Sequence, residues 1–239
     1  MCTVIITVPE DDSRPVRLLA VRDEDPARPW NRLGRWWPDQ YPGVIGIRDA
    51  RAGGAWLAAD STTRRLAVLL NRHDLSDRSD AEVHTRGTVA LESVVGRSPD
   101  ERPRTRGFNL VEVTAHTARV ISWNGLESRT LELSPGTHMV AHDEVDDPDT
   151  ARISTWLPEF RTAAVDAPDE EWWRPWLAIM DRSAELAGDD DAAIIRRQTY
   201  EGIPSYSLLV CVGTVSESGV EVRDAPLTTP GEWAPAEFG

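Results

Sequence analysis

The most reactive residue in this chain is expected at its start, where MCTVIITVPE places a cysteine directly behind the initiator methionine. Cysteine is otherwise scarce, at two in 239 residues. A small second residue lets the methionine be trimmed, and Cys2 would then carry both a thiol and a free α-amine. That amine, with an ordinary pKa of about 7.7 to 8.0, takes the thiol proton near neutral pH, so nucleophile and base share one residue. The alternative for Cys2 is a small hydrophobe packed in a first strand.

Two further groups suit the same chemistry. Arg22 and Asp23 close the apolar run VRLLAVRDE, which is expected to lie beside the first strand. Alternation puts Val16, Leu18, Ala20 and Arg22 on one inward face, where an unpaired charge is costly. A buried arginine beside Cys2 lowers its thiol pKa. Asp23 is placed to hold the α-amine; without that role, Asp23, Glu24 and Asp25 read as a solvated acidic turn. Asn71 ends RLAVLLN, and a side-chain amide at a strand end suits an oxyanion donor for acyl transfer, or else a turn in LNRHD.

Ten tryptophans outnumber the three tyrosines and three phenylalanines. WNRLGRWWP and EEWWRPW suit the walls of an apolar ligand pocket, but core and helix packing explains aromatic clusters more often. His73, His138 and His142 have a spacing that carries little weight on its own, and no metal site is expected.

Composition excludes several classes. The formal charge is −14 with a pI near 4.8, and the basic residues are scattered, so nucleic acid and anionic membranes are repelled. Every one of the 26 basic residues is arginine. Without lysine there is no Schiff base, no Walker-A lysine and no Ser-Lys dyad. The apolar run VIITV is too short for a signal peptide or a membrane span, which predicts a cytoplasmic protein with Cys2 and Cys211 as thiols. Cys211, inside SLLVCVGTV, reads as a small buried hydrophobe.

The elements that must position these groups follow from patterning. Residues 2–8 and 16–22 read as an antiparallel hairpin across PEDDSRP, and AWLAAD with RLAVLLNR as a second pair around DSTTR. TVALESVVG suggests a short helix; GFNLVEVT, ARVISWNG and RTLELSPG return to strands. Between about 150 and 188, ARISTWLPEFRTAA and DEEWWRPWLAIMDRSAEL read as helices, the second broken or kinked by Pro175. LAVLL and SLLVCVGTV are apolar on both faces. Double-sided burial in antiparallel strands predicts an α+β fold, a four-layer αββα sandwich of two mainly antiparallel sheets, although one sheet with helices on both faces also yields apolar strands. The length suits one domain over 1–239.

Several motifs converge in order: the MC start, RLLAVRDEDPARP, GGAWLA, RLAVLLN, HTRG, RGFNL and LSPGTH. Together they resemble the NRDE family, also called the transport and Golgi organisation 2 family, across residues 1 to about 142. The resemblance departs at Val21, which stands where the family has asparagine, and at His142, which takes the place of a second family asparagine after the PG turn. It implies an N-terminal-nucleophile hydrolase fold, with Cys2 attacking a C–N amide bond of a small molecule, Asn71 as oxyanion donor, and Arg22 with Asp23 fixing the nucleophile. His142, Trp30 and Trp56 are the candidate substrate contacts. Hydrolysis needs no cofactor. Family members are also linked to haem trafficking, so the alternative is a carrier of haem or another apolar metabolite, held non-covalently because no Cys-x-x-Cys-His occurs.

Overall fold

The structure is a computed structural model, and it describes residues 2–11, 13–163, 171–200 and 202–239. Met1 and the first residues of the DEEWWRPW segment, Asp169 and Glu170, lie outside the described residues.

The first strand explains the architecture. In β1 (Thr3–Val8) every residue but Thr7 is buried, so alternate side chains must find cover on opposite faces. Val4 and Ile6 enter one core, and Ile5 enters another. The same two-sided burial recurs in β2 (Val16–Glu24) and β12 (Ile203–Ser216). These strands, with β10 (Gly136–Val140), β11 (Arg197–Tyr200) and β13 (Gly219–Pro226), form a six-stranded sheet. Its order is β10-β1-β2-β12-β11, with β13 also paired to β12.

A seven-stranded sheet runs in simple sequence order from β3 (Trp30–Gly34) and β4 (Val44–Asp49) through β5 (Ala55–Asp60) and β6 (Arg65–Asn71) to β7 (Phe108–Val113), β8 (Ala118–Trp123) and β9 (Ser128–Glu132). The pairings in both sheets are antiparallel. RLAVLLN is the central strand, consistent with its apolar faces.

The sheets pack face to face over a shared core that includes Val4, Leu18, Ala20, Val68, Leu70 and Val111. Outside the six-stranded sheet, α2 (Ala151–Thr162) and α3 (Arg174–Ser183) cover Ile5, Leu19, Val21 and Val210. Outside the seven-stranded sheet, α1 (Val89–Val94) covers Ala58, Ala67 and Leu110. The chain is therefore an α+β, four-layer αββα sandwich, its fourth layer a single short helix. Among the described residues no helix is long and apolar enough to cross a membrane.

One reading is corrected. Pro175 neither breaks nor kinks α3, because it lies in the first turn, where its missing N–H has no intrahelical partner to lose. The proline inside a helix is instead Pro158, on the exposed side of α2.

His138, on β10, is held by acceptors at both ring nitrogens: Asp146 Oδ2 at 2.8 Å from Nδ1 and the Ser134 carbonyl at 2.8 Å from Nε2. Only the imidazolium can donate at both positions. The Asp146 hydrogen bond raises the His138 pKa above its ordinary value, against burial and the nearby Arg161. A folded pKa raised above the unfolded one stabilises below the unfolded value of about 6.5 and loses that contribution as pH rises through the folded value. His138→Gln is therefore expected to cost most stability at acid pH and progressively less as pH rises through the raised folded pKa, read as the gap between urea midpoints. A gap independent of pH refutes the imidazolium assignment.

Candidate active site

Pairing of β1 with β2 sets the site. The register Thr3↔Val21 carries Cys2 to the end of β2. There its Sγ lies 3.6 Å from the Asp23 carbonyl and 3.4 Å from the Asp23 N–H. A thiol donates to the first and a thiolate accepts from the second, so the backbone of one residue serves both protonation states. Cys2 is buried, and burial pushes its thiol pKa up, with the Asp23 carboxylate adding to the rise. The Asp23 N–H and Arg22 pull the other way and do not prevail. The expected activation by Arg22 is thus present in sign but outweighed, and the resting side chain is a neutral thiol.

Arg22 follows Leu18 and Ala20 on the inner face of β2 and is only 2% exposed. Its Nη2 stands 3.5 Å from Glu24, and the guanidinium stacks 5.8 Å from the Trp30 ring centroid. Its Nη1 has no hydrogen-bond partner among the described residues. A buried guanidinium N–H left unpaired by protein is costly.

Asp23 points to the opposite face of β2. Its Oδ1 accepts the Ser207 hydroxyl at 2.6 Å, and Ser207 is itself fully buried, its Oγ accepting the Arg196 N–H. The contact depends on a bulge in β12, where the register against β2 jumps between Ser207 and Leu209. Bulges re-aim side chains at functional sites in this way. Burial lowers the pKa of Arg152 from α2, and Asp23 is the strongest influence holding it up. Ser207 and Arg152 were not expected from the sequence; a serine opening an apolar strand carries no signal of its partner.

Cys2, Arg22, Asp23, Trp56 and Asn71 line one cavity of about 280 Å³. Asn71 reaches it from the end of β6, on the alternation of Ala67 and Leu69 rather than of Leu70, and is exposed. Trp30 takes part through its stacking on Arg22. His142 is not among the lining residues: its Nε2 pairs with Asp143 at 3.0 Å, and burial lowers its pKa despite that carboxylate. Among the described residues, no three His, Cys, Asp or Glu side chains are grouped to hold a metal ion.

The remaining wall comes from the GGAWLA and HTRG motifs. A Cβ on Gly54 would fall 2.1 Å from the Gly87 Cα, so the two backbones touch where only glycine fits. This contact presents Arg86 to the cavity, with its Nη1 donating to the Gly107 carbonyl at 2.7 Å. Arg28 also lines it, paired with Asp49 at 2.7 Å. The asparagine of RGFNL has another use: Asn109 is fully buried and donates to the carbonyls of Ala141 and Asp143, tying β7 to the exit of β10.

Comparison with curated proteins finds no match. The sequence model for Transport and Golgi organisation 2 does match, over residues 1–205, a span that includes the motifs meeting at Cys2, β6 and the Gly54–Gly87 contact. The chain belongs to the Transport and Golgi organisation 2 family.

Proposed function

We propose that this protein is an N-terminal-nucleophile cysteine hydrolase acting on a C–N amide bond of a small molecule. The observation that carries the reading is the convergence of Cys2, Arg22, Asp23 and Asn71 on one cavity. Because burial holds the Cys2 thiol protonated, it needs a base at hand, and after removal of Met1 the α-amine of the same residue is that base.

The thiol gives its proton to the amine as sulfur bonds to the substrate carbonyl carbon. The carbonyl π-electrons move to oxygen, and the side-chain amide of Asn71 donates to the oxyanion. The tetrahedral adduct collapses by breaking the C–N bond, with the α-ammonium returning the proton to the leaving amine. Water, deprotonated by the same amine, then attacks the thioester, and the acid leaves as Cys2 recovers its thiol. Asp23, anchored by Ser207, orients the ammonium.

A haem carrier requires an apolar enclosure. Here four arginines, Glu24 and Asp49 line the cavity, a lining that does not fit haem.

Untagged protein incubated with p-nitrophenyl acetate is expected to release nitrophenolate in a burst and to gain an acetyl mass on Cys2. The burst rate should rise through about pH 7.7 to 8.0 as the α-amine loses its proton, and an N-terminally extended form should show no such rise. Equal bursts in both forms overturn the self-activating mechanism.

A further inference from the structure

We propose that the substrate of this site is a small monoanion, an amide bearing a free carboxylate, and that Arg22 and Arg86 seat that carboxylate beside Cys2. The inference rests on the hydrolase reading for the word substrate, but the anion site itself stands on the cavity alone.

The first observation is the charge balance around the cavity. Four arginines, Arg22, Arg28, Arg86 and Arg106, line about 280 Å³ in a protein whose net charge is −14. Glu24 and Asp49 line it with them, as does Asp23, whose carboxylate turns to the opposite face of β2. The carboxylates are engaged: Asp23 with Ser207, Asp49 with Arg28, and Glu24 with Arg22 and Arg28. Arg106 is paired with Asp74 at 3.8 Å, which leaves Arg86 as the lining arginine without a carboxylate partner among the described residues. A cationic cleft in an acidic surface concentrates field lines and raises the local concentration of anions.

The second observation is an unfilled donor. Arg22 is 98% buried, since only 2% of it is exposed, and its Nη1 has no partner among the described residues. Arg86 spends Nη1 on the Gly107 carbonyl but pairs with no carboxylate, and its nearest compensating charges, Glu24 and Asp74, act only at a distance. Burial accordingly opposes its charge. Desolvated guanidinium groups recover most when a carboxylate accepts from their planar N–H edges. One guanidinium without a carboxylate partner among the described residues matches a carboxylate rather than a dianionic phosphate. The volume, below that of most drug-sized sites, holds a small molecule only.

The test compares two alkylating probes of equal shape, anionic iodoacetate and neutral iodoacetamide, on Cys2 of the trimmed protein. Relative to a short peptide with an N-terminal cysteine, the ratio of their rates is expected to shift about tenfold toward iodoacetate and to shrink with added salt. Arg86→Gln should return the ratio toward the peptide value. Arg28→Gln, which removes another charge from the same wall, gives the same reading should the first variant fail to fold. Glutarate should slow alkylation where glutaramide does not. A peptide-like ratio, or protection by phosphate better than by glutarate, overturns the proposal. If Cys2 resists both probes, glutarate must still raise the melting temperature above glutaramide, and equal shifts overturn it. Absence of an acyl-enzyme with a preserved anion preference sinks the hydrolase and spares this site; turnover of neutral amides without that preference does the reverse.

Discussion

Cys2→Ala is expected to abolish acyl transfer in trimmed protein, a loss on the order of 10⁶ in turnover, comparable to deleting the nucleophile of other covalent hydrolases. In the proposed mechanism the thiol forms the covalent intermediate, and no residual base can substitute for a missing bond. Stability should change by less than about 1 kcal/mol, because among the described residues the hydrogen bonds of the sulfur are two long ones, both to the Asp23 backbone. Cys2→Ser keeps the shape and lowers nucleophilicity, so its turnover should fall between the two. Burst amplitude and a melting curve measured on the same samples separate chemistry from folding. Undiminished turnover in Cys2→Ala would sink the mechanism outright.

The second large effect lies in the layer beneath α3. Trp176 is fully buried, with its ring edge-on to Phe160 at 5.8 Å and to Trp172 at 5.4 Å between centroids. Removing so much packed volume costs about 3 to 5 kcal/mol, which lowers the melting temperature by about 10 °C in a chain of this size. Its Nε1–H, however, has no acceptor among the described residues. Trp176→Phe deletes that orphan donor along with part of the ring, so the relief offsets much of the lost packing and the net cost should stay under about 1.5 kcal/mol. A Trp176→Phe variant as unstable as Trp176→Ala would mean that the indole N–H is satisfied.

The parts of this fold legible in the sequence are those where burial is two-sided. LAVLL and SLLVCVGTV carry apolar residues on both faces because one face meets the opposite sheet and the other meets helices. Strands whose side chains are half-buried or interrupted gave no such pattern: β4 is broken by Gly46, β10 is GTHMV, and β13 mixes Glu221, Arg223 and Asp224 with its valines. The two prolines show the limit of a local rule, since Pro175 starts a helix and Pro158 sits within one.

At the site, Cys2, Arg22, Asp23 and Asn71 were readable from strand ends and the family resemblance, and they do line one cavity. Its arginine wall was not, because Arg28 and Arg106 come from loops and Arg86 from a single 3-10 turn, and their meeting depends on tertiary packing. The direction of the Cys2 thiol pKa was also missed. A charge neighbour is visible in sequence, whereas the desolvation that outweighs it is a property of the finished core.

The contact between Gly54 and Gly87 has a consequence for selectivity. It joins main chain to main chain, with no rotamer that can turn aside. The rim carrying Arg86 is therefore a fixed jamb rather than a hinged one, and only the arm of Arg86 can adjust to what enters. A guest too broad for it would be refused, so under the proposed function the site would select by gauge first and by charge second.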